Sequence, residues 1–410
     1  MNTIKMPERA FLFLNSGLPA IITASIQKSS EVSMTKRIGL LTAGSDCAGM
    51  NAAIRGIGKA VSADKKLELI GFRDGFNGLV EDRTMDLGGG VLSGILTLGG
   101  TILGISRNIP QAMPAGKGTA DLTQNAVDTY KRHKLDALVC IGGKETIKAG
   151  LHLSRAGLNI VVLPKAADND VPGTDKAIGF DTAREIATQA IDRLHSTANA
   201  THRIMIVELA GVSAGWLTLG AGLAAGADVI LIPEFPYDFS LISPAIKARQ
   251  KAGRNFSLVA VAENARSQEL VEFMERAARK KAGQQAANES AVSAEMERIG
   301  KGYSGETMLL ARRLEDETGL QSRITILGAL VRGGTPTASD RLLATQLAEW
   351  GVVMAENGQF GRMAARVDGA MSSVALEDVV DKHKLVPADH GWVRGAYQVG
   401  TCLGVEITCF

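Results

Sequence analysis

Cysteine is scarce in this chain: Cys47, Cys140, Cys402 and Cys409 are the only four among 410 residues. None forms a C-x-x-C pair and no histidine stands at ligand spacing beside them, which argues against a zinc site. So few thiols in so long a chain suit a reducing compartment, and a cytoplasmic protein is expected. No apolar run reaches the ~18–20 residues of a membrane span, so no membrane partner is expected. Charge of one sign is lacking too. Lys and Arg number 45 against 43 Asp and Glu, a net +2, which gives no general attraction to nucleic acid or anionic lipid. With 45% hydrophobic residues, the chain is not of disordered composition. It is long enough for a large core, and for two.

Glycine is plentiful, at 46 residues, above the usual ~7%, and without a collagen-like period. It needs a local cause: turns, tight packing, or backbone drawn close to a ligand. Residues 10–25 are moderately apolar and follow Lys5 and Arg9, as in a signal peptide, but Asn15, Ser16, Gly17 and Pro19 interrupt them. Residues 1–34 therefore read as an N-terminal extension or a mistaken start, with Met34 just before a strand start at Lys36–Leu41. Further on, short apolar runs end at Gly, Pro or a carboxylate: Ile38–Thr42, Leu135–Ile141, Ile160–Leu163, Ile204–Val207, Val229–Ile232, Leu258–Val261 and Ile324–Leu327. Runs of this length without alternation predict strands buried on both faces. Between them lie helical spacings such as Ile186, Ala190, Ile191 and Leu194. Alternating strands and helices predict an α/β fold with mainly parallel sheets, in which ligands bind beyond the carboxyl ends of the strands. Residues 276–305, with Arg276, Arg279, Lys280 and Lys281, break the pattern and read as a charged helix end and a surface connection.

The strand ends hold the chemistry-bearing residues. Thr42–Gly56 runs from a strand through a glycine loop at Gly44 into a small-residue helix. It could cradle a phosphate or simply pack tightly, and its spacing fits neither G-x-G-x-x-G nor a P-loop. Gly99–Arg107 ends in a lone Arg107 suited to bridging phosphates, or to lying in a surface turn. Gly142-Gly143-Lys144-Glu145-Thr146 follows a buried strand. Lys165 precedes Asp168-Asn169-Asp170, a pair of carboxylates in which one can take a proton while the other orients it or helps hold a metal. Arg203, Arg323 and Arg332 near strand ends would suit an anionic substrate. Glu208 and Glu263 also lie at strand ends.

In order and spacing, KRIGLLTAG, GMNAAIRG, GGTILGISR, LDALVCIGG, DNDVPGTDKAIGFDTA, AIDRLHSTA, AGWLTLGAGLAAGAD, VRGGTPTASDRLLAT and HGWVRGA resemble the phosphofructokinase family from about residue 35 to 404. The resemblance implies two Rossmann-like domains: residues 35–179 with 329–385 for the donor phosphate, and 180–328 with 386–410 for the sugar phosphate. It implies phosphoryl transfer to the 1-hydroxyl of fructose 6-phosphate from ATP or pyrophosphate, with Mg2+. By position, Asp168 would be the base and Asp170 its metal-side partner. Arg203, Arg323 and Arg332 would hold the 6-phosphate and Glu263 the sugar hydroxyls. Gly44, Arg107, Lys144, Glu145 and Thr146 would meet the donor. Arg203 and Arg323 would come from a neighbouring subunit, which implies a homodimer or homotetramer with shared sites. Glu145 and Lys165 follow the family's pyrophosphate pattern, so pyrophosphate is the expected donor, with Lys165 neutralising it among the catalytic residues.

The sequence departs from the family where chemistry should be. Lys144 replaces a metal-associated carboxylate and has no lone pair to offer Mg2+. Ala166-Ala167 replaces Thr-Ile before Asp168. Ala210 and Val212 replace Met and Arg, Ala329 replaces His or Tyr, and Ser45 and Ala48 replace Gly and Pro. Two readings follow: a pyrophosphate-dependent phosphofructokinase with an altered site, in which Lys144 itself contacts the donor phosphates, or a catalytically weak or inactive paralogue that binds sugar phosphate or serves as a regulatory subunit.

Overall fold

The computed structural model describes residues 36–64, 66–88, 90–282 and 305–406. The expected N-terminal extension, and residues 283–304 of the atypical segment, lie outside the described residues. Helix Gln268–Ala282 carries the basic residues that precede that gap.

The fold is α/β, built on two mainly parallel sheets. The first has the order β13-β12-β7-β6-β1-β2-β3. Its strands are β1 (Lys36–Thr42), β2 (Leu67–Phe72), β3 (Thr84–Asp86), β6 (Ala137–Gly142), β7 (Ile160–Pro164), β12 (Arg362–Val367) and β13 (Ala370–Ala375). A small hairpin, β4 (Met113–Ala115) with β5 (Gly118–Ala120), stands apart. The second sheet has the order β11-β8-β10-β9, from β8 (Ile204–Leu209), β9 (Val229–Leu231), β10 (Ser257–Ala262) and β11 (Ser322–Ile326), all parallel. Each of the seven strands expected from the sequence is present. For β1 and β6 to β10 the apolar runs are explained by helices on both faces, which leave no solvent side for polar residues to occupy; the edge strand β11 is only partly buried, with Ile326 exposed. Ile38, Leu40, Ile54, Ile57 and Leu347 form one core layer on the first sheet, and Leu41, Phe72, Leu138, Ile147 and Ile160 form the other. Each such side chain contributes about 1.5–3 kcal/mol by leaving water.

Both sheets reverse their winding beside the site. In the first, β1 continues outward to β2, while β6 continues to β7 on the other side. The reversal opens a crevice at the carboxyl ends of β1 and β6. In the second, the corresponding reversal lies between β8 and β10, where the Glu263 N–H donates to the Leu209 carbonyl at 2.9 Å.

One buried side chain organises the loops that flank the first crevice. Asn51, in helix Met50–Ala63, donates to the Leu98 and Gly99 carbonyls, both at 3.1 Å, and accepts from the Ile102 N–H at 2.8 Å. Gly99 is glycine for a packing reason: a Cβ there would stand 2.3 Å from the Gly334 carbonyl oxygen. The GGT and RGG strings thus press backbone on backbone, and tight packing rather than phosphate accounts for that glycine. Asn51→Ala orphans three loop groups and should lower stability by about 2–4 kcal/mol. Urea unfolding of the purified variant measures it, and a loss under 1 kcal/mol would contradict the assignment.

Candidate active site

A cavity of about 610 Å³ opens where the two sheets' carboxyl ends meet. From the first sheet it receives Gly44, Arg107, Lys144, Glu145, Thr146, Lys165, Asp168 and Asp170; from the second, Glu263 and Arg332. Ten of the twelve residues singled out in the sequence are therefore brought together. The other two, Arg203 and Arg323, are not. Arg203 directly precedes β8 and Arg323, paired to Met205, is the second residue of β11, so they stand about 20 Å and about 10 Å of strand from the carboxyl ends. The Arg323 guanidinium donates to its neighbour's carbonyl, that of Ser322, at 2.8 Å.

The loop after β7 divides its polar residues between structure and site. Asn169 is buried with a left-handed φ of 55°, a conformation asparagine tolerates. Its side chain accepts from the Ala177 N–H at 3.0 Å. Asp175 accepts from the Asp368 and Gly369 N–H groups, which fixes the β12–β13 turn against the loop. Lys384 spans the Thr174 and Asp175 carbonyls at 2.9 and 2.5 Å, and its own N–H donates to the Asp170 carbonyl at 3.2 Å. Asp168 and Asp170 are left to face the cavity. Burial, reinforced by the neighbouring Asp170 charge, pushes the Asp168 carboxyl up to about 7.

On the opposite wall stands helix Lys144–Arg155, with Gly143 at its cap position and no side-chain cap. Its first N–H groups carry positive potential toward the cavity. Thr146 lends only backbone here. Its side chain is buried, and it lies so close to Gly142 that a Cβ there would meet its hydroxyl at 2.0 Å. Glu145 is exposed. Lys165 is 4% exposed, and its ammonium is turned under the Gly44 loop to donate to the Ser45 carbonyl. Burial holds its pKa below the usual lysine range. Gly44 has φ 91° and its N–H donates to the Ser106 carbonyl at 2.8 Å, which ties the two donor-side loops together. Arg107 reaches Ser45 Oγ at 3.2 Å, and Arg332 stands 3.6 Å from Asp46.

Lys144 is the decisive residue. Its ammonium contacts Asp170 Oδ2 at 2.5 Å, Ser213 Oγ at 2.8 Å and His383 Nδ1 at 2.9 Å. All three N–H donors have acceptors, and His383 accepts through Nδ1 with its proton on Nε2. Neither Ser213 nor His383 was singled out in the sequence: they are 69 and 239 positions from Lys144, and no local pattern joins them to it. Asp170, expected from the resemblance to face a metal, is here paired with Lys144. Magnesium wants carboxylate and water oxygens in octahedral array. Here the buried carboxylate is covered by an ammonium, and a divalent ion ~4 Å from that ammonium would be repelled by roughly 8 kcal/mol at an effective dielectric of ~20. Among the described residues, no three His, Cys, Asp or Glu side chains are grouped to hold a metal. The residues present do not fit a protein-held Mg2+.

Glu208 turns away from the cavity, where its carboxylate accepts from the Thr307 hydroxyl. The position expected to carry arginine is Val212, exposed at the cavity rim. No helix of the described residues is long and apolar enough to cross a membrane.

Comparison with known proteins agrees with this architecture. Residues 37–354 match the Phosphofructokinase family. An ATP-dependent 6-phosphofructokinase of Propionibacterium freudenreichii subsp. shermanii is 48% identical over 373 residues, covering 90% of this chain and all of its own. One from Spirochaeta thermophila is 42% identical, covering 90% of this chain and 98% of its own. The Pichia pastoris phosphofructokinase structure in the T-state superposes with a TM-score of 0.66 at 26% identity, covering 86% of this chain and 36% of that much longer one. A pyrophosphate-dependent phosphofructokinase from Marinobacter aquaeolei has the same fold, with a TM-score of 0.70 at 18% identity over 92% of this chain and 93% of that one. Matched along most of its length in sequence, and in fold around the cleft just described, the chain belongs to the phosphofructokinase family.

Proposed function

We propose that the chain transfers a phosphoryl group to the 1-hydroxyl of fructose 6-phosphate. The observation that carries this is Asp168, a carboxylate with its pKa raised to about 7, set in one cavity between the donor-side loops and Glu263 with Arg332. A base of that pKa can take a hydroxyl proton near neutral pH. Arg332 would hold the 6-phosphate and Glu263 the sugar hydroxyls. Arg203 and Arg323, remote within one chain, would complete the phosphate site of a second copy, so a homodimer or homotetramer is part of the reading. The first sheet would serve the donor and the second the sugar. Transfer then rests on positioning and charge, as phosphoryl chemistry generally does.

ATP is the better-supported donor. The relatives that match over 90% of this chain carry that name. Lys165, one of the two residues behind the pyrophosphate expectation, spends its ammonium on the Ser45 carbonyl beneath the loop rather than extending into the donor space. Glu145 still favours pyrophosphate. A coupled assay with fructose 6-phosphate and each donor in turn decides: turnover with ATP supports this reading, and turnover with pyrophosphate alone reverses the donor. The pH profile checks the base. Asp168 must be deprotonated to act, so kcat/KM should rise tenfold per unit below about pH 7 and level off above it. A profile flat from pH 5.5 to 8 would remove Asp168 from the role.

The Lys144–Asp170 pair and the exposed Val212 favour a second reading, a catalytically weak paralogue that binds sugar phosphate. Calorimetric binding of fructose 6-phosphate without turnover on either donor would select it.

A further inference from the structure

We infer that Lys144 is the resident cation of this site, so that the donor's phosphates are bound by the protein without a divalent ion. This rests on reading the cleft as a donor-phosphate site. Lys144 sits on Asp170 at 2.5 Å, where a carboxylate-held metal ion would otherwise sit. Its other two acceptors are the Ser213 hydroxyl and the His383 imidazole. Both are neutral, and a phosphate oxygen is a stronger acceptor for an ammonium than either. Donor phosphate can therefore displace them while Asp170 keeps the ammonium in place. His383 is exposed and stands on the segment after helix Leu376–Val379, so its side chain can swing away without disturbing the core.

The groups nearest Lys144 on the donor side favour an anion. The uncapped start of helix Lys144–Arg155 faces the same space, and Arg107 and Lys165 line it with Lys144. Two basic side chains, Lys144 and Arg107, thus reach the position, while Lys165 supports the Gly44 loop from beneath; of the two neighbouring carboxylates, Asp170 is already paired and burial holds Asp168 toward its neutral form. An anion entering here gains charge-assisted hydrogen bonds. A divalent ion entering with it must either lie against the Lys144 ammonium or displace it from Asp170.

The test is calorimetric titration of the full chain with pyrophosphate and, separately, with ATP, each in EDTA and in excess MgCl2, without fructose 6-phosphate. The wild-type chain should bind at least one donor in EDTA with an affinity within about threefold of that in Mg2+. Lys144→Met should weaken the metal-free binding by about 10–100-fold, the size of a lost charged hydrogen bond. Lys144→Glu should bind only with Mg2+, having regained a carboxylate beside Asp170. If Lys144→Glu fails to fold, as judged by circular dichroism, the neutral Lys144→Met carries the comparison alone. Binding by the wild type only with Mg2+, no binding under either condition, or metal-free binding unchanged in Lys144→Met overturns the inference. The catalytic reading fails separately. Metal-free donor binding with no transfer to fructose 6-phosphate would leave Lys144 in its role and remove the activity. Transfer with donor binding that requires Mg2+ would do the reverse.

Discussion

Asp168→Asn is expected to lower kcat for fructose 6-phosphate phosphorylation by about 10³-fold, within the ~10²–10⁴ that a positioned base supplies. The amide keeps the size of the side chain but cannot accept the hydroxyl proton. It also removes one of two adjacent negative charges from a cavity that must receive phosphates. KM for the sugar phosphate should therefore stay level or fall, and the whole loss should appear in kcat. Burial opposes the charge of Asp168, so its neutral replacement should unfold at the same or a slightly higher denaturant concentration. That separates a lost base from a damaged fold. Steady-state kinetics beside a urea titration make the measurement, and a kcat reduced less than tenfold would assign the proton to another acceptor.

Legibility from sequence followed the range of the interaction. Strands buried on both faces announce themselves as apolar runs, so β1 and β6 to β10 were visible, and β11 showed the same run although it lies partly exposed at an edge. The hairpin β12–β13 was not, because β12 buries only Met363–Ala365 between arginines and the residues of the edge strand β13 are half-buried. The DNDVPGTD string marked the loop proposed to hold the base, yet only the folded chain separates Asp168 and Asp170, which face the cavity, from Asn169 and Asp175, which hold the loop's shape. The substitution at Lys144 was readable as a missing carboxylate. Its consequence was not, since Ser213 and His383 reach it from distant segments and Asp170 meets it only across the crevice. Arg203 and Arg323 show the opposite case: their residue type suggested phosphate, the resemblance assigned them to a neighbouring subunit, and the strand direction gives the physical reason, since they lie toward the amino ends of their strands, away from their own chain's cavity.

Asp340→Ala should cost about 3–5 kcal/mol of stability, the largest loss expected from a residue outside the cavity. Asp340 lies in the first turn of helix Ala338–Glu356, which packs on the first sheet, and is 1% exposed. Its carboxylate leaves that helix to cap another. It accepts from the Gly179 N–H at 3.0 Å, the Thr182 N–H at 2.7 Å and the Thr182 hydroxyl at 2.5 Å, at the start of helix Phe180–Thr201, whose own cap residue is Gly179 and supplies no side chain. That second helix packs in the core of the second sheet through Phe180, Ala183, Ala187 and Ile191. One carboxylate thus terminates the helix of one sheet and ties it to the helix of the other, and a negative charge at a helix start is further favoured by the dipole. Alanine would leave two backbone N–H groups without acceptors in a place water does not reach, each costing about 1–3 kcal/mol. Asp340→Asn keeps one acceptor oxygen and should lose about half as much, so the order wild type, Asn, Ala in urea midpoint is the discriminating result. Equal midpoints for Asn and Ala would mean that the charge, and not the hydrogen bonds, holds the two helices together. Because helix Phe180–Thr201 begins two turns after the catalytic loop, the alanine variant should also raise KM for fructose 6-phosphate while it remains folded, as the sheets that bring Asp168 and Arg332 to one cavity lose their shared anchor.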